Sequence, residues 1–207
     1  MRYLFQGDSI TDTGRRDYQD LYDTGSGYVR LLEAELCCNN PGSEVLNGGI
    51  SGNRVLDLLA RWKKDCLLAK PDVLTILIGV NDVWREFGDQ SSVDAGLFEE
   101  IYRILLRETK TALPDVRLIL MGAYVCHGPA TDENWEAFCR GVGVRREITR
   151  RLADEFKAEF IDLQNVFDEA AKRAAIGHWT GDGVHPTAAG HKLIAEAWKK
   201  KNSEFLS

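Results

Sequence analysis

Ser9 lies within the run Phe5-Gln6-Gly7-Asp8-Ser9-Ile10-Thr11-Asp12, just after a short apolar strand beginning at Arg2. Glycine allows an abrupt backbone turn there, and the carboxyl edge of a sheet is where open α/β folds bind ligands. A serine hydroxyl becomes a nucleophile only if a base, an acid that orients it and an oxyanion site lie nearby. Without them, Ser9 reads as a cap for the following helix. Three other segments carry residue types that could complete such a site: Gly48-Gly49-Ile50-Ser51-Gly52, Gly79-Val80-Asn81-Asp82, and Gly181-Asp182-Gly183-Val184-His185-Pro186. Singly each has a plain structural reading. Gly52 suits a turn, Asn81 a helix cap, Asp182 a turn and His185 a surface position.

The elements that must bring these segments together follow from hydrophobic period. Arg2–Gln6, Glu44–Asn47, Val73–Ile78, Val116–Met121 and Glu159–Asp162 read as strands. The third and fourth are apolar throughout, as expected of buried parallel strands. Between them, helices are predicted over Gly27–Cys38, Arg54 to about Leu68, Asp94–Ala112, Trp135–Phe156, Gln164 to about Ala175 and Thr187 to about Phe205. Thr11–Ser26, Cys126–Glu133 and Gly177–Pro186 read as loops, and Gly141 and Gly143 raise the question of a break in the helix around them. Strands alternating with helices predict one doubly wound α/β domain over residues 1–207, a three-layer α/β/α sandwich with a five-stranded parallel sheet. The strand order expected is the flavodoxin-like 2-1-3-4-5. All three strand-ending segments then open on one edge, and the last helix packs back along the first strand.

In these four blocks the chain resembles the SGNH hydrolases, also called GDSL esterases and lipases, along essentially its whole length. Gly-Asp-Ser-Ile-Thr-Asp and Asp-Gly-Val-His-Pro-Thr-Ala-Ala-Gly-His are the most specific of them. The resemblance implies Ser9 as nucleophile, His185 as base and Asp182 as the acid that orients it. It implies the Ser9 and Gly52 backbone N–H groups and the Asn81 side-chain amide as oxyanion donors, with no cofactor. The chemistry of the residues agrees. Imidazole titrates near neutrality, Asp182 three residues earlier can bend back to the other ring nitrogen, and Pro186 keeps His185 extended and outside the last helix.

Asn81-Asp82-Val83-Trp84-Arg85, Asn47-x-Gly-Ile-Ser-Gly-Asn and Val184-His185-Pro186-x-x-Ala-Gly-His191 look most like the family's bacterial acetylxylan-esterase branch. That resemblance implies removal of acetyl groups from xylo-oligosaccharides through an acyl-enzyme on Ser9. Asp8, Trp84, Arg85 and Trp179 are the substrate-pocket candidates. An indole can shape a small acyl pocket or stack on a sugar, although Trp84 could equally anchor its loop and Arg85 pair with a carboxylate. The alternatives are a lysophospholipase or thioesterase of the same fold, against which the lack of an apolar lid weighs mildly, and a non-catalytic sugar- or phosphate-binding module. For the last, neither G-x-G-x-x-G nor G-x-x-x-x-G-K-[ST] occurs.

Composition limits the partners. The net charge of −6 has no long basic run, and Lys199-Lys200-Lys201 reads as a solvated helix end, so nucleic acid and anionic membranes are not expected. No apolar stretch approaches the roughly 18 residues a spanning helix needs. The start, Met1-Arg2, shows no apolar leader, and five cysteines without Cys-x-x-Cys spacing read as mostly buried thiols, so the chain is expected to be cytoplasmic. A small-molecule ester is the expected partner, and a homo-oligomer is admitted by the resemblance alone. No metal-ligand spacing occurs. His191 is expected to pack the last helix, and His127 and His178 to lie in loops.

Overall fold

Five parallel strands form the centre of the computed structural model, which describes residues 1–88 and 91–206. The strands are β1 (Arg2–Gly7), β2 (Glu44–Gly49), β3 (Val73–Leu77), β4 (Arg117–Gly122) and β5 (Glu159–Asp162). They lie in the order β2-β1-β3-β4-β5, as the sequence predicts. Residues alternate between faces. Tyr3, Phe5, Val73, Leu77, Ile119 and Met121 join one core, and Leu4, Leu46, Leu74, Ile76, Leu118 and Leu120 the other.

The first core is covered by α2 (Tyr28–Asn39), α7 (Leu163–Ala171) and α8 (Ala188–Lys201), and the second by α3 (Val55–Trp62) and α5 (Ala95–Ala112). The helix α6 (Trp135–Phe156) contributes Phe138 and Val142 to one and Ile148 and Leu152 to the other. Trp198 of α8 packs on Tyr3 and Phe5 of β1 and donates its indole N–H to Thr75 at 3.0 Å. This satisfies the only polar atom of a side chain that would otherwise bury it at a cost. The last helix therefore does lie along the first strand.

Five elements depart from the sequence reading. Ser9–Asp12 forms a single helical turn, α1, where loop was expected from Thr11. Val80–Phe87 forms a helix, α4, so the segment predicted as a loop after β3 is the start of a helix. The helix predicted to Leu68 is α-helical only to Trp62 and continues as a π-turn over Lys63–Leu67. The helices predicted to Ala175 and Phe205 stop at Ala171 and Lys201, and short 3-10 turns follow at Ile176–His178 and Ser203–Phe205. The helix α6 runs unbroken for 22 residues. Its Gly141 serves packing: a β-carbon there would sit 2.7 Å from Val83 of α4.

Cys66 and Cys126 are buried, whereas Cys37 is half-buried and Cys38 and Cys139 are exposed, all as free thiols. The expectation of mostly buried thiols is thus corrected, because Cys38 and Cys139 fall on the outer faces of α2 and α6. Among the described residues no helix is long and apolar enough to cross a membrane.

Candidate active site

Ser9 is presented by a strand that stops and a helix that starts within two residues. A β-carbon on Gly7 would lie 2.4 Å from Thr11 Oγ1 and 2.5 Å from the Leu77 carbonyl, so only glycine lets the chain turn here. Asp8 is the N-cap of α1, and its Oδ1 accepts the Ile10 amide at 3.0 Å. The capping role considered for Ser9 therefore belongs to Asp8. Ser9 is the first helical residue, half-buried, and its own amide donates to nothing among the described residues.

His185 and Asp182 come from the loop before α8. The Gly181 amide donates to the His185 carbonyl at 2.9 Å, closing the loop, and Asp182 Oδ1 accepts the Val184 and His185 amides at 2.9 and 2.7 Å. Oδ2 of the same carboxylate is 2.7 Å from His185 Nδ1, and His185 Nε2 is 2.8 Å from Ser9 Oγ. With Nδ1–H donating to Asp182, the Nε2 lone pair faces the serine hydroxyl. Burial raises the Asp182 pKa. Hydrogen bonds from the His185 side chain and from the two amides outweigh it and hold the carboxyl below its ordinary range. Tyr124 fixes this loop from below, donating its hydroxyl to the Val184 carbonyl at 2.7 Å.

Gly52 and Asn81 approach from the other side. Gly52 has φ +81°, a left-handed conformation that any side chain would strain, and its amide is unpaired among the described residues. Asn81, in the first turn of α4, donates one amide N–H to the Asn53 carbonyl at 3.1 Å, which orients the second. The next residue, Asp82, is fully buried and takes the Val55 amide on both oxygens at 3.3 and 3.2 Å. Its carboxylate thus ties the start of α4 to the start of α3, between which Gly52 and Asn53 sit.

Sequence reasoning missed the residues that hold this frame. Arg61 donates to Asn53 Oδ1 at 2.8 Å, Gln6 Oε1 at 2.8 Å and the Gly7 carbonyl at 3.4 Å, joining the Ser9 turn to the Gly52 loop. Asn47 donates to the Thr11 and Thr24 carbonyls, and Asp12 accepts the Ser51 amide at 3.0 Å and hydroxyl at 2.6 Å. The available signal was a polar residue inside an apolar strand, Gln6 or Asn47, since such a residue needs partners.

The pocket candidates separate. Trp84 lies with its ring centroid 5.9 Å from that of His185 and edge-on to Phe138, so it walls the site. Arg85 is exposed on the same helix, and its Nη2 lies 3.6 Å from where a β-carbon on Gly52 would be. Asp8 is fully buried beneath α1 and faces no open space, so it is not a pocket-lining residue. Burial pushes its carboxyl up to about 7, against a lowering by the Ile10 amide and by His185. Trp179 is also buried, with the Arg173 guanidinium 5.0 Å over its ring and His178 against its edge, and serves as packing.

Of the other histidines, His191 packs α8 as expected, accepting the Tyr28 amide on Nδ1 at 3.2 Å. His178 and His127 are exposed, and His127 stacks on Trp135. Among the described residues no group of three His, Cys, Asp or Glu side chains could hold a metal.

Comparison with known proteins identifies the family and agrees with the fold. Residues 5–193 match the model of the GDSL-like lipase/acylhydrolase family. The chain is 35% identical to an acetylxylan esterase from Geobacillus stearothermophilus, covering 97% of this chain and 93% of that protein. The crystal structure of that esterase superposes with a TM-score of 0.85. A protein from Parabacteroides merdae described as a GDSL-like lipase gives a TM-score of 0.89 at 35% identity, covering 98% of this chain and 95% of that one. An α/β hydrolase from the Lake Arreo metagenome gives 0.86 at 32% identity, covering 100% and 96%.

Proposed function

The chain belongs to the GDSL-like lipase/acylhydrolase family and is a carboxylic ester hydrolase, and from that premise we propose that it removes acetyl groups from acylated xylo-oligosaccharides through an acyl-enzyme on Ser9. One observation carries the mechanism: the relay of 2.8 Å from Ser9 Oγ to His185 Nε2 and 2.7 Å from His185 Nδ1 to Asp182.

As Ser9 Oγ bonds to the ester carbonyl carbon, His185 Nε2 takes the hydroxyl proton and becomes imidazolium. Asp182 balances that charge. The carbonyl oxygen becomes an oxyanion, held by the Ser9 and Gly52 amides and the free N–H of Asn81. Collapse breaks the bond to the sugar oxygen, which leaves with the proton from His185. Water then attacks the acyl-enzyme with His185 again as base, releasing acetate and restoring Ser9.

Two supports favour a short acyl group on a sugar. The Trp84 indole beside His185 limits room for a long chain, and the Geobacillus relative is named for acetylxylan. Free thiols throughout suit a reducing cytoplasm, where we place the enzyme. A fluorophosphonate probe tests the nucleophile: wild type is expected to label and Ser9→Ala not to. Acetate release from acetylated xylo-oligosaccharides, set against fatty-acid release from lysophospholipid, tests the substrate. Preference for the lysophospholipid would overturn the acetyl assignment.

A further inference from the structure

The segment between β4 and α6 lies against the catalytic loop and carries an aromatic surface that the proposed chemistry does not use. The Cys126 amide donates to the Gly183 carbonyl at 2.8 Å and the Ala130 amide to the Asp182 carbonyl at 3.0 Å. Gly128 packs so closely on the Asp182 backbone that a β-carbon would come within 2.4 Å of it. The segment is thereby fixed relative to His185. On its outer side His127 stacks on Trp135, ring centroids 3.7 Å apart at 26°, and His127 Nδ1 is 2.8 Å from Asp132 Oδ1.

This pair forms the wall of an open cleft of about 630 Å³ whose rim carries Asp132, Glu133, Asn134 and Arg140. A second cleft, of about 390 Å³, continues past the same two rings toward Gln164. Phe138, one turn after Trp135, touches Trp84, which in turn faces His185. Buried Phe138 thus backs Trp84 one helical turn from the residue that walls the cleft.

Such a lining selects its ligand by chemistry. Flat aromatic faces suit the C–H face of a pyranose, and closely spaced carboxylates, an amide and a guanidinium suit hydroxyls that both donate and accept. The carboxylates, in a chain of net charge −6, disfavour an anionic ligand such as a lipid phosphate. Resting on the carbohydrate reading above, we infer that the His127–Trp135 surface is a subsite for unreacted sugar units of an oligosaccharide whose acetyl group lies at Ser9. Binding there helps long substrates and leaves small esters unaffected.

The test compares wild type, Trp135→Ala and Trp135→Phe on p-nitrophenyl acetate, acetylated xylobiose and acetylated xylohexaose, together with tryptophan-fluorescence titration by unacetylated xylohexaose. Trp135→Ala is expected to lower kcat/KM for the hexaose by about tenfold, equivalent to roughly 1.4 kcal/mol and within the range of one aromatic stacking contact. The loss should fall on KM, leave p-nitrophenyl acetate within about twofold, and be largely rescued by Trp135→Phe. Parallel losses on all three substrates, or rates independent of chain length in wild type, overturn the subsite while leaving the esterase reading intact. Trp135-dependent binding of xylohexaose without acetate release sustains the subsite and overturns the substrate assignment. Hydrolysis of p-nitrophenyl acetate alone, with no xylohexaose binding, overturns both.

Discussion

Asp182 and Asp82 both accept hydrogen bonds from backbone amides, one on each side of the site, yet their surroundings drive them in opposite directions. Asp182 lies in a loop with its side chain one-third exposed. It accepts from two amides and an imidazole, which hold it ionised. Asp82 is fully buried and takes one amide, shared between its two oxygens. Burial there pushes the carboxyl up to about 7, with Asp8 raising it further and Arg145 opposing. The number of donors a carboxylate meets, set against the water it loses, decides its charge. The half proposed to move protons is open, and its carboxylate is fully paired. The half that holds two of the proposed oxyanion donors is dry and costly to ionise.

The strongest test of the comparison is Asp182→Asn. Asparagine can keep the amide contacts but cannot hold the imidazole tautomer, so kcat on p-nitrophenyl acetate is expected to fall about 10⁴-fold. A loss below about tenfold would remove Asp182 from the mechanism. On the dry side, Asn81→Ala deletes one neutral donor, and kcat should fall about 10²–10³-fold with KM little changed. If KM rises instead while kcat holds, Asn81 binds the ground state and the oxyanion role is wrong.

Asp82→Asn probes stability. With a folded pKa of about 7 against an ordinary 3.8, the native state binds extra protons between those values. Unfolding free energy therefore falls as pH rises from about 4 to about 7. Asp182, lowered in the fold, works the other way: its contribution is present above the ordinary carboxylate range and lost as pH falls through its folded pKa. Asparagine at 82 still accepts the Val55 amide, so the drop in urea-derived stability from pH 5 to pH 8 should shrink by about 1–3 kcal/mol. Asp8, which faces His185 and Asp12, is raised to the same value and leaves a residual slope. A slope equal to that of wild type would show that Asp82 keeps an ordinary carboxyl pKa in the fold and is ionised across this range.

The same contrast explains what could be read from the chain. Gly7-Asp8-Ser9 and Asp182-x-x-His185 were legible because each is a local turn whose chemistry lies within four residues. The sheet order followed from apolar runs such as Val73–Ile78. The helix α4 was hidden although Val80, Val83, Trp84 and Phe87 carry helical spacing. Gly79-Val80-Asn81-Asp82 uses residues that favour turns, and eight residues give a short period to recognise. Arg61 could not be assigned, since its partners Gln6, Gly7 and Asn53 are brought to it only by folding. Asp8 is a pocket candidate by sequence, whereas its side chain turns back to cap α1.

The smallest expected effect concerns Trp84, where the open and dry halves meet. Its ring lies between His185 and the Phe87–Phe138 stack. Trp84→Ala leaves the hydrogen bonds of Ser9, His185, Asp182 and Asn81 in place and opens apolar space lined by those phenylalanines. Each methylene that enters gains about 0.8 kcal/mol, about fourfold in rate if the transition state keeps the contact. The ratio of kcat/KM for p-nitrophenyl butanoate over acetate should therefore rise by about tenfold. Acetate hydrolysis itself should fall only a few-fold, because the reacting atoms stay paired. If the ratio is unchanged while the melting temperature drops, Trp84 serves only to anchor α4 on α6. The limit on acyl length would then have to come from the Gly52 side, where Arg85 is the nearest long side chain.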